Sequence, residues 1–259
     1  MMNIKIGVAG CGALGTIVCN ALAQGIDGYD FTAVSDIQDT SFDVPNVTFN
    51  DLATQCDMVV ECLPPAIVPD LAKAVLGKNK TLVMISACAM LLHPEIKDMA
   101  NQSKGRLLVP SGAIAGLDAI SALKIAGIDS ATIATTKPPK GLQGAPHVVS
   151  KKIDLENLTE PKMIFRGNAY DAAKAFPANV NVAATLSIAG IGPDKTMVEV
   201  WADPNASGNK HEIIVTGGSS TIRTAVENLP DPTNPKSSML AGYSIVAALK
   251  KQTDMMVVV

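Results

Sequence analysis

A chain of 259 residues with 47% hydrophobic and 17% charged residues has ample apolar material for a folded core, which excludes a disordered chain. A formal net charge of −3 without a basic run argues against nucleic acid as partner, and no apolar stretch reaches the ~18 residues of a membrane span. The five cysteines (11, 19, 56, 62, 88) lack metal-ligand spacing, so free thiols, no bound metal and a reducing cytoplasm are expected. The start runs into a strand with no signal peptide, which agrees with a cytoplasmic place and no membrane partner.

Taken in order, the first stretch is Ile4-Lys5-Ile6-Gly7-Val8-Ala9-Gly10-Cys11-Gly12-Ala13-Leu14-Gly15. A β-branched run ends at Gly10 and a small-residue helical pattern starts at Ala13, with G-x-G-x-x-G between them. In such a turn the first glycine makes the reversal and the second lets a pyrophosphate reach the backbone. The third lets the helix pack on its strand. The phosphates then meet the free amides at the helix start, around Ala13 and Leu14. The next apolar run, 31–35, closes with Asp36. It lies about 20 residues past the motif, where a carboxylate accepts ribose hydroxyls and repels a 2′-phosphate. The expected cofactor set is Gly10, Gly12, Ala13, Leu14, Gly15 and Asp36, with NAD favoured and NADP second. The plainer alternative makes Asp36 an ordinary polar strand end.

A polar linker over 38–50 leads to a short helical piece at Leu52-Ala53, then to the strand Met58 to Glu61 and the loop Cys62-Leu63-Pro64-Pro65. A helix is expected over 67–76, a buried strand over 81–86, a helix over 93–102 and a strand over 106–109. Strands alternating with helices predict a Rossmann-type, doubly wound parallel α/β domain over residues 1–110. The small-residue loop 111–118 opens a second, α+β domain over 111–235, expected to carry catalysis and dimerisation. Its strands fall at 131–136, 163–166, 196–202, 212–216 and 219–226, mainly antiparallel. Helices follow at 169–175 and after Phe176-Pro177. A last segment, 236–259, holds a helix over 239–250 expected to return to the first domain.

Amine or alcohol oxidation by hydride transfer needs an acid/base group of tunable pKa and a cation for substrate carboxylates. His211, at the end of a loop of turn formers, titrates near neutrality in its ordinary state. The alternative is a surface loop histidine. Lys137, at a strand end, binds a carboxylate or, if desolvated, acts as a base; the alternative is a solvated lysine. Asn179 and Asn181 offer hydrogen bonds to a nicotinamide half, or caps for the helix that follows. His147, in a Gly/Pro loop, is the weaker histidine, and His93 beside Pro94 reads as a capping residue.

With these motifs laid out, the chain resembles the L-aspartate dehydrogenase family nearly end to end. The resemblance is carried by the glycine turn, Ser111-Gly112-Ala113-Ile114, Thr136-Lys137-Pro138-Pro139, and Phe176-Pro177 with Asn179-Val180-Asn181-Val182-Ala183-Ala184-Thr185. Ala202-Asp203-Pro204, Asn209-Lys210-His211 and Asn234-Pro235-Lys236-Ser237-Ser238 complete it. It implies NAD(P)-dependent oxidative deamination of L-aspartate through iminosuccinate to oxaloacetate and ammonia, or the reverse, with a link to NAD biosynthesis. It implies His211 as the active-site histidine, Ala113 as a backbone contact to NAD, and Asn179 or Asn181 as a second cofactor contact. Lys137 and Lys236 would hold the substrate carboxylates, in a homodimer. The rivals are a dehydrogenase or imine reductase for another small amino acid, and a non-catalytic NAD sensor. The chain departs from the family at Cys62-Leu63-Pro64-Pro65, where a more alanine-rich loop is expected. The apolar ending Met255-Met256-Val257-Val258-Val259 is a further departure.

Overall fold

The computed structural model describes residues 3–218, 220–229 and 238–258. The chain forms two compact units, Met1–Pro110 with Met239–Val259, and Ser111–Ser238.

The first unit runs β1 (Ile4–Ala9), α1 (Ala13–Gln24), β2 (Tyr29–Ser35), α2 (Phe49–Gln55) and β3 (Met58–Glu61). It continues through α3 (Val68–Leu76), β4 (Thr81–Met84), α4 (Cys88–Leu92), α5 (Glu95–Gln102) and β5 (Leu107–Leu108). The strands pair in the order β2-β1-β3-β4-β5, all parallel. Both faces are buried, which is why the strands read as unbroken apolar runs instead of alternating ones. Val59, Leu82 and Met84 face Leu52, Leu71, Val75 and Ile96 on one side. Ile6, Val8, Val60 and Val83 face Val18, Leu22, Ile245 and Leu249 on the other. The last two come from the C-terminal helix, Met239–Thr253, whose Leu249 carbonyl accepts the Tyr29 hydroxyl at 3.0 Å.

Three details differ from the sequence expectation. The linker after β2 is tied to the sheet: Asn46 Oδ1 accepts the Asp36 amide at 3.0 Å, and its Nδ2 donates to the Asp36 and Gln38 carbonyls at 3.1 Å. The short α4 follows β4 where no helix was expected. His93 does not start a helix but ends α4, with its ring 3.3 Å from the Glu95 carboxylate.

The second unit runs α6 (Leu117–Ala126), β6 (Ser130–Lys137), α7 (Pro146–Ser150), β7 (Lys162–Asn168), α8 (Ala169–Ala175), α9 (Asn181–Ala189), β8 (Thr196–Ala202), β9 (Asn209–Gly217) and β10 (Ser220–Asn228). Its strand order is β10-β9-β6-β8-β7, antiparallel except for the β6–β8 pair. Alternation is strict: Ala131, Ile133, Thr135 and Lys137 of β6 are buried while 132, 134 and 136 are half-buried. The same face takes Val198, Val200 and Ala202 of β8 and His211, Ile213 and Val215 of β9. The segment holding His147 is not a loose loop. Its imidazole packs 5.4 Å from Phe165 and 5.5 Å from Phe176, ring centre to ring centre.

Candidate active site

In the first unit, the turn after β1 is shaped by what its three glycines touch. Gly10 has φ +89°, and a Cβ there would meet the Cys62 carbonyl oxygen at 2.5 Å. A Cβ on Gly15 would collide with the Gly10 carbonyl. At Gly12 a Cβ would meet nothing within 4 Å, so that glycine keeps open space above the turn and not packing below it. Gly12 is also the N-cap of α1, with no side-chain cap and no acidic residue in the first turn. The first amides of a 12-residue helix are thus left for a ligand, at the positive end of its dipole.

Asp36 follows β2 directly. Its Oδ2 accepts the Cys11 amide at 2.6 Å and its Oδ1 accepts the Gln38 amide at 2.9 Å. Each carboxylate oxygen retains a further lone pair, so Asp36 both fixes the turn and offers acceptors beside it. An open second glycine, uncapped amides and an adjacent carboxylate fit a dinucleotide. Ala13 and Leu14 open α1.

A residue not singled out from the sequence lies under this turn. Glu61, the last residue of β3, pairs in register with Ala9 and Met84 and is fully buried. Its carboxylate accepts the Leu63 amide at 2.6 Å, the Ser86 amide at 3.0 Å and the Ser86 hydroxyl at 2.9 Å. Burial pushes its pKa up to about 7, against the pull of those donors. The available signal was an acidic residue closing an apolar strand at its carboxyl end, as Asp36 does.

In the second unit, three polar side chains share the covered face of the sheet. Thr135 stands opposite His211 in the β6–β9 ladder, and its Oγ1 lies 3.1 Å from His211 Nδ1. Lys137, two residues on, points to the same face. His211 is 3% exposed and Lys137 6%, so neither is the solvated side chain of the plainer reading. His211 is the third residue of β9 and not a loop residue. Burial, then the nearby Lys137 charge, push its pKa down to about 3 instead of the ordinary value near neutrality. Burial alone brings Lys137 down to about 8. Among the described residues Lys137 has no carboxylate partner. A buried cation with no counter-ion is costly, and a carboxylate-bearing ligand would offset that cost. Thr135 was not foreseen, although the alternation of β6 places it beside the histidine.

Ala113 is buried in the turn before α6, whose N-cap Gly116 has φ +82° and lies against Thr224. Asn179 sits in a turn, with its amide donating to the Phe176 carbonyl at 2.9 Å. Asn181 is the first residue of α9. Neither is the cap, because that position is Val180 and no side chain caps the helix. Lys236 lies outside the described residues.

A parallel sheet with an open glycine turn and an acid after its second strand, in one chain with a buried histidine beside a buried lysine, defines a nicotinamide-dependent dehydrogenase. A family model described as "Aspartate dehydrogenase, C-terminal" matches residues 118–252. "L-aspartate dehydrogenase 3" of Bordetella bronchiseptica is 40% identical, covering 97% of this chain and 96% of that protein. The L-aspartate dehydrogenase of Methanosarcina barkeri is also 40% identical, covering 96% of each. The crystal structure of aspartate dehydrogenase from Thermotoga maritima superposes with a TM-score of 0.78 at 25% identity, over 99% of this chain and 100% of that one. The chain belongs to the L-aspartate dehydrogenase family. It is an oxidoreductase whose family and Rossmann-type fold imply a nicotinamide cofactor.

Proposed function

We propose that the chain catalyses oxidative deamination of L-aspartate, through iminosuccinate, to oxaloacetate and ammonia, and the reverse reductive amination. The observation that carries this reading is the buried trio Thr135, Lys137 and His211 on one sheet face, inside the segment matched by the family model.

The dinucleotide, when bound, supplies the hydride acceptor. Lys137 is protonated below about 8 and binds a substrate carboxylate, the counter-ion its burial lacks. His211 is neutral in the free protein and held by Thr135 through Nδ1. With Nδ1–H donating to Thr135, Nε2 presents a lone pair to water. That nitrogen takes a proton as the water oxygen bonds to the imine carbon, giving a carbinolamine. The imidazolium then returns the proton to the departing nitrogen; the C–N bond breaks as the hydroxyl oxygen forms the carbonyl of oxaloacetate and gives up its proton to the imidazole, and ammonia leaves. A substrate with two carboxylates adds negative charge, which raises the histidine from its low free value toward the working range.

NAD is favoured over NADP because Asp36 puts a carboxylate beside the turn, where a 2′-phosphate would be repelled. The imine product gives this reaction a place ahead of quinolinate and NAD biosynthesis. The cytoplasm is favoured by five cysteines that are all free. A homodimer is favoured by the half-exposed face of the second sheet, which carries Met163, Ile214 and Trp201.

The test is NADH oxidation with ammonium and a panel of 2-oxo acids. Oxaloacetate should be turned over well ahead of pyruvate, glyoxylate and 2-oxoglutarate. His211→Ala should lose roughly 10²–10⁴-fold in turnover with little change in NADH binding. NADH binding without turnover of any panel member would make the chain a sensor, and a preferred acid other than oxaloacetate would move it to another small amino acid.

A further inference from the structure

Glu61 is used by nothing in the mechanism above, yet it is a fully buried carboxylate one residue from the loop that abuts the glycine turn. Among the described residues it has no cationic partner. The titratable groups around it are few. Cys62 follows it in the chain and feels its charge, with a thiol pushed well up by burial. Cys88 on α4, beyond Ser86, is pushed up to about 12 and is neutral. The glycine turn carries the Cys11 thiol and, through the Cys11 amide, the Asp36 carboxylate. β1 and β4 bring only Ala9 and Met84 to its register.

The Ser86 hydroxyl has one hydrogen and two acceptors, Glu61 Oε1 at 2.9 Å and the Leu63 carbonyl at 3.0 Å. When Glu61 is ionised, Oε1 keeps the Leu63 amide at 2.6 Å in either case, so a serine hydrogen turned to Oε1 leaves the Leu63 carbonyl without its bond. When Glu61 carries a proton on Oε1, its O–H donates to Ser86 Oγ, and the serine hydrogen turns to the Leu63 carbonyl. Both bonds then form, while the Ser86 amide still donates to Oε2 at 3.0 Å. The cluster accepts a proton without leaving a buried polar group unpaired, which is uncommon for a carboxylate in a core.

We propose that Glu61 is a proton-linked positioning residue of the dinucleotide site: it gains a proton when the cofactor's phosphates are brought to the glycine turn, and that proton locks the 62–65 loop through Ser86. The inference rests on the reading of the first unit as the dinucleotide site. An anion at the turn makes a second buried negative charge nearby more costly, so phosphate and proton favour each other's binding. The linkage works at physiological pH because burial already holds Glu61 near 7.

The experiment is calorimetric titration of the whole protein with NADH at pH 7.5 in two buffers of different ionisation enthalpy. About half a proton should be taken up per NADH, and NADH should bind up to about tenfold more tightly at pH 6 than at pH 8.5. Glu61→Gln should bind NADH with no linked uptake and a flat pH dependence. Infrared difference spectra of the unmodified protein provide a check that survives a misfolded variant, since NADH should bring up a protonated-carboxyl band. Normal NADH binding without proton uptake or that band overturns the proposal, as does undiminished uptake in a folded Glu61→Gln protein. Failure of the native protein to bind NADH would overturn the dinucleotide reading itself, and this inference with it.

Discussion

At the scale of single residues, the three glycines of one motif carry separable burdens. Gly12 has ordinary backbone angles, φ −67°, and open space where a side chain would go. Gly12→Val should therefore fold with a melting temperature close to the parent's and lose most NADH affinity. Gly15→Val should fail to fold, because its Cβ has only the Gly10 carbonyl to displace. Melting curves and NADH fluorescence titration on both variants check this, and equal behaviour of the two would refute the division of labour. Asp36→Ser tests the choice of cofactor. Since Asp36 also holds the Cys11 amide, both cofactors should bind more weakly, so the informative quantity is their ratio, which should move toward NADP. The motif and its acid were legible because their chemistry depends on spacing in the chain. The environment of Lys137 and Glu61 was not. A charged residue at a strand end reads as solvated unless the far-off elements around it are known: β8 lies beside Lys137 in the sheet, and the β4–α4 turn donates to Glu61.

At the scale of elements, the C-terminal helix shows how chain order and packing part company. Ile245 and Leu249 are fully buried in the core of the first unit, and a Cβ on Gly242 would press Ile17 at 2.7 Å. Leu249→Ala should cost about 2–5 kcal/mol in urea unfolding, the usual range for a fully buried leucine. Tyr29→Phe, which removes only the hydrogen bond to the Leu249 carbonyl, should cost about 1 kcal/mol. Met255, Met256 and Val258 are 81–100% exposed, so cutting the chain after Asp254 should change monomer stability by less than about 0.5 kcal/mol. The strands of the first unit were readable nearly to their ends, because two-sided burial leaves continuous apolar runs between glycines and polar linkers. The helix α4 is not legible in the sequence, because Cys88-Ala-Met-Leu-Leu92 is five apolar residues without a polar face or a cap signal. The stretch up to His211 reads as a loop because Asn205, Ser207, Gly208 and Asn209 are turn formers. The strand begins inside that polar run, at Asn209, where β9 pairs with β10, and β6 joins from Lys210.

At the scale of the whole molecule, the two units carry buried ionisable groups of opposite sign of effect. In the first, Glu61 is raised to about 7, so its contribution is present below its ordinary value and is lost as pH rises through 7. In the second, His211 is depressed to about 3, so its contribution is present above about 6.5 and is lost as pH falls toward 3. Lys137, depressed to about 8, contributes only above its ordinary value, and below 8 the fold bears the whole cost of a buried cation. The single tryptophan, Trp201, lies on β8 and reports the second unit alone. Its fluorescence gives a clean reading of that unit. Acidification from pH 6.5 should lower the stability read by Trp201 by ~1.4 kcal/mol per pH unit, and His211→Gln should flatten that limb. Lys137→Met should raise stability at pH 7 by roughly 2–4 kcal/mol, and the gain should fade as pH rises from 8 past 10.5, above which the lysine is neutral in both states. The same variant should lose oxaloacetate turnover. A lysine that is costly to the fold and needed by the reaction is what a carboxylate-binding role requires; a lysine kept only for packing would yield the extra stability with activity intact.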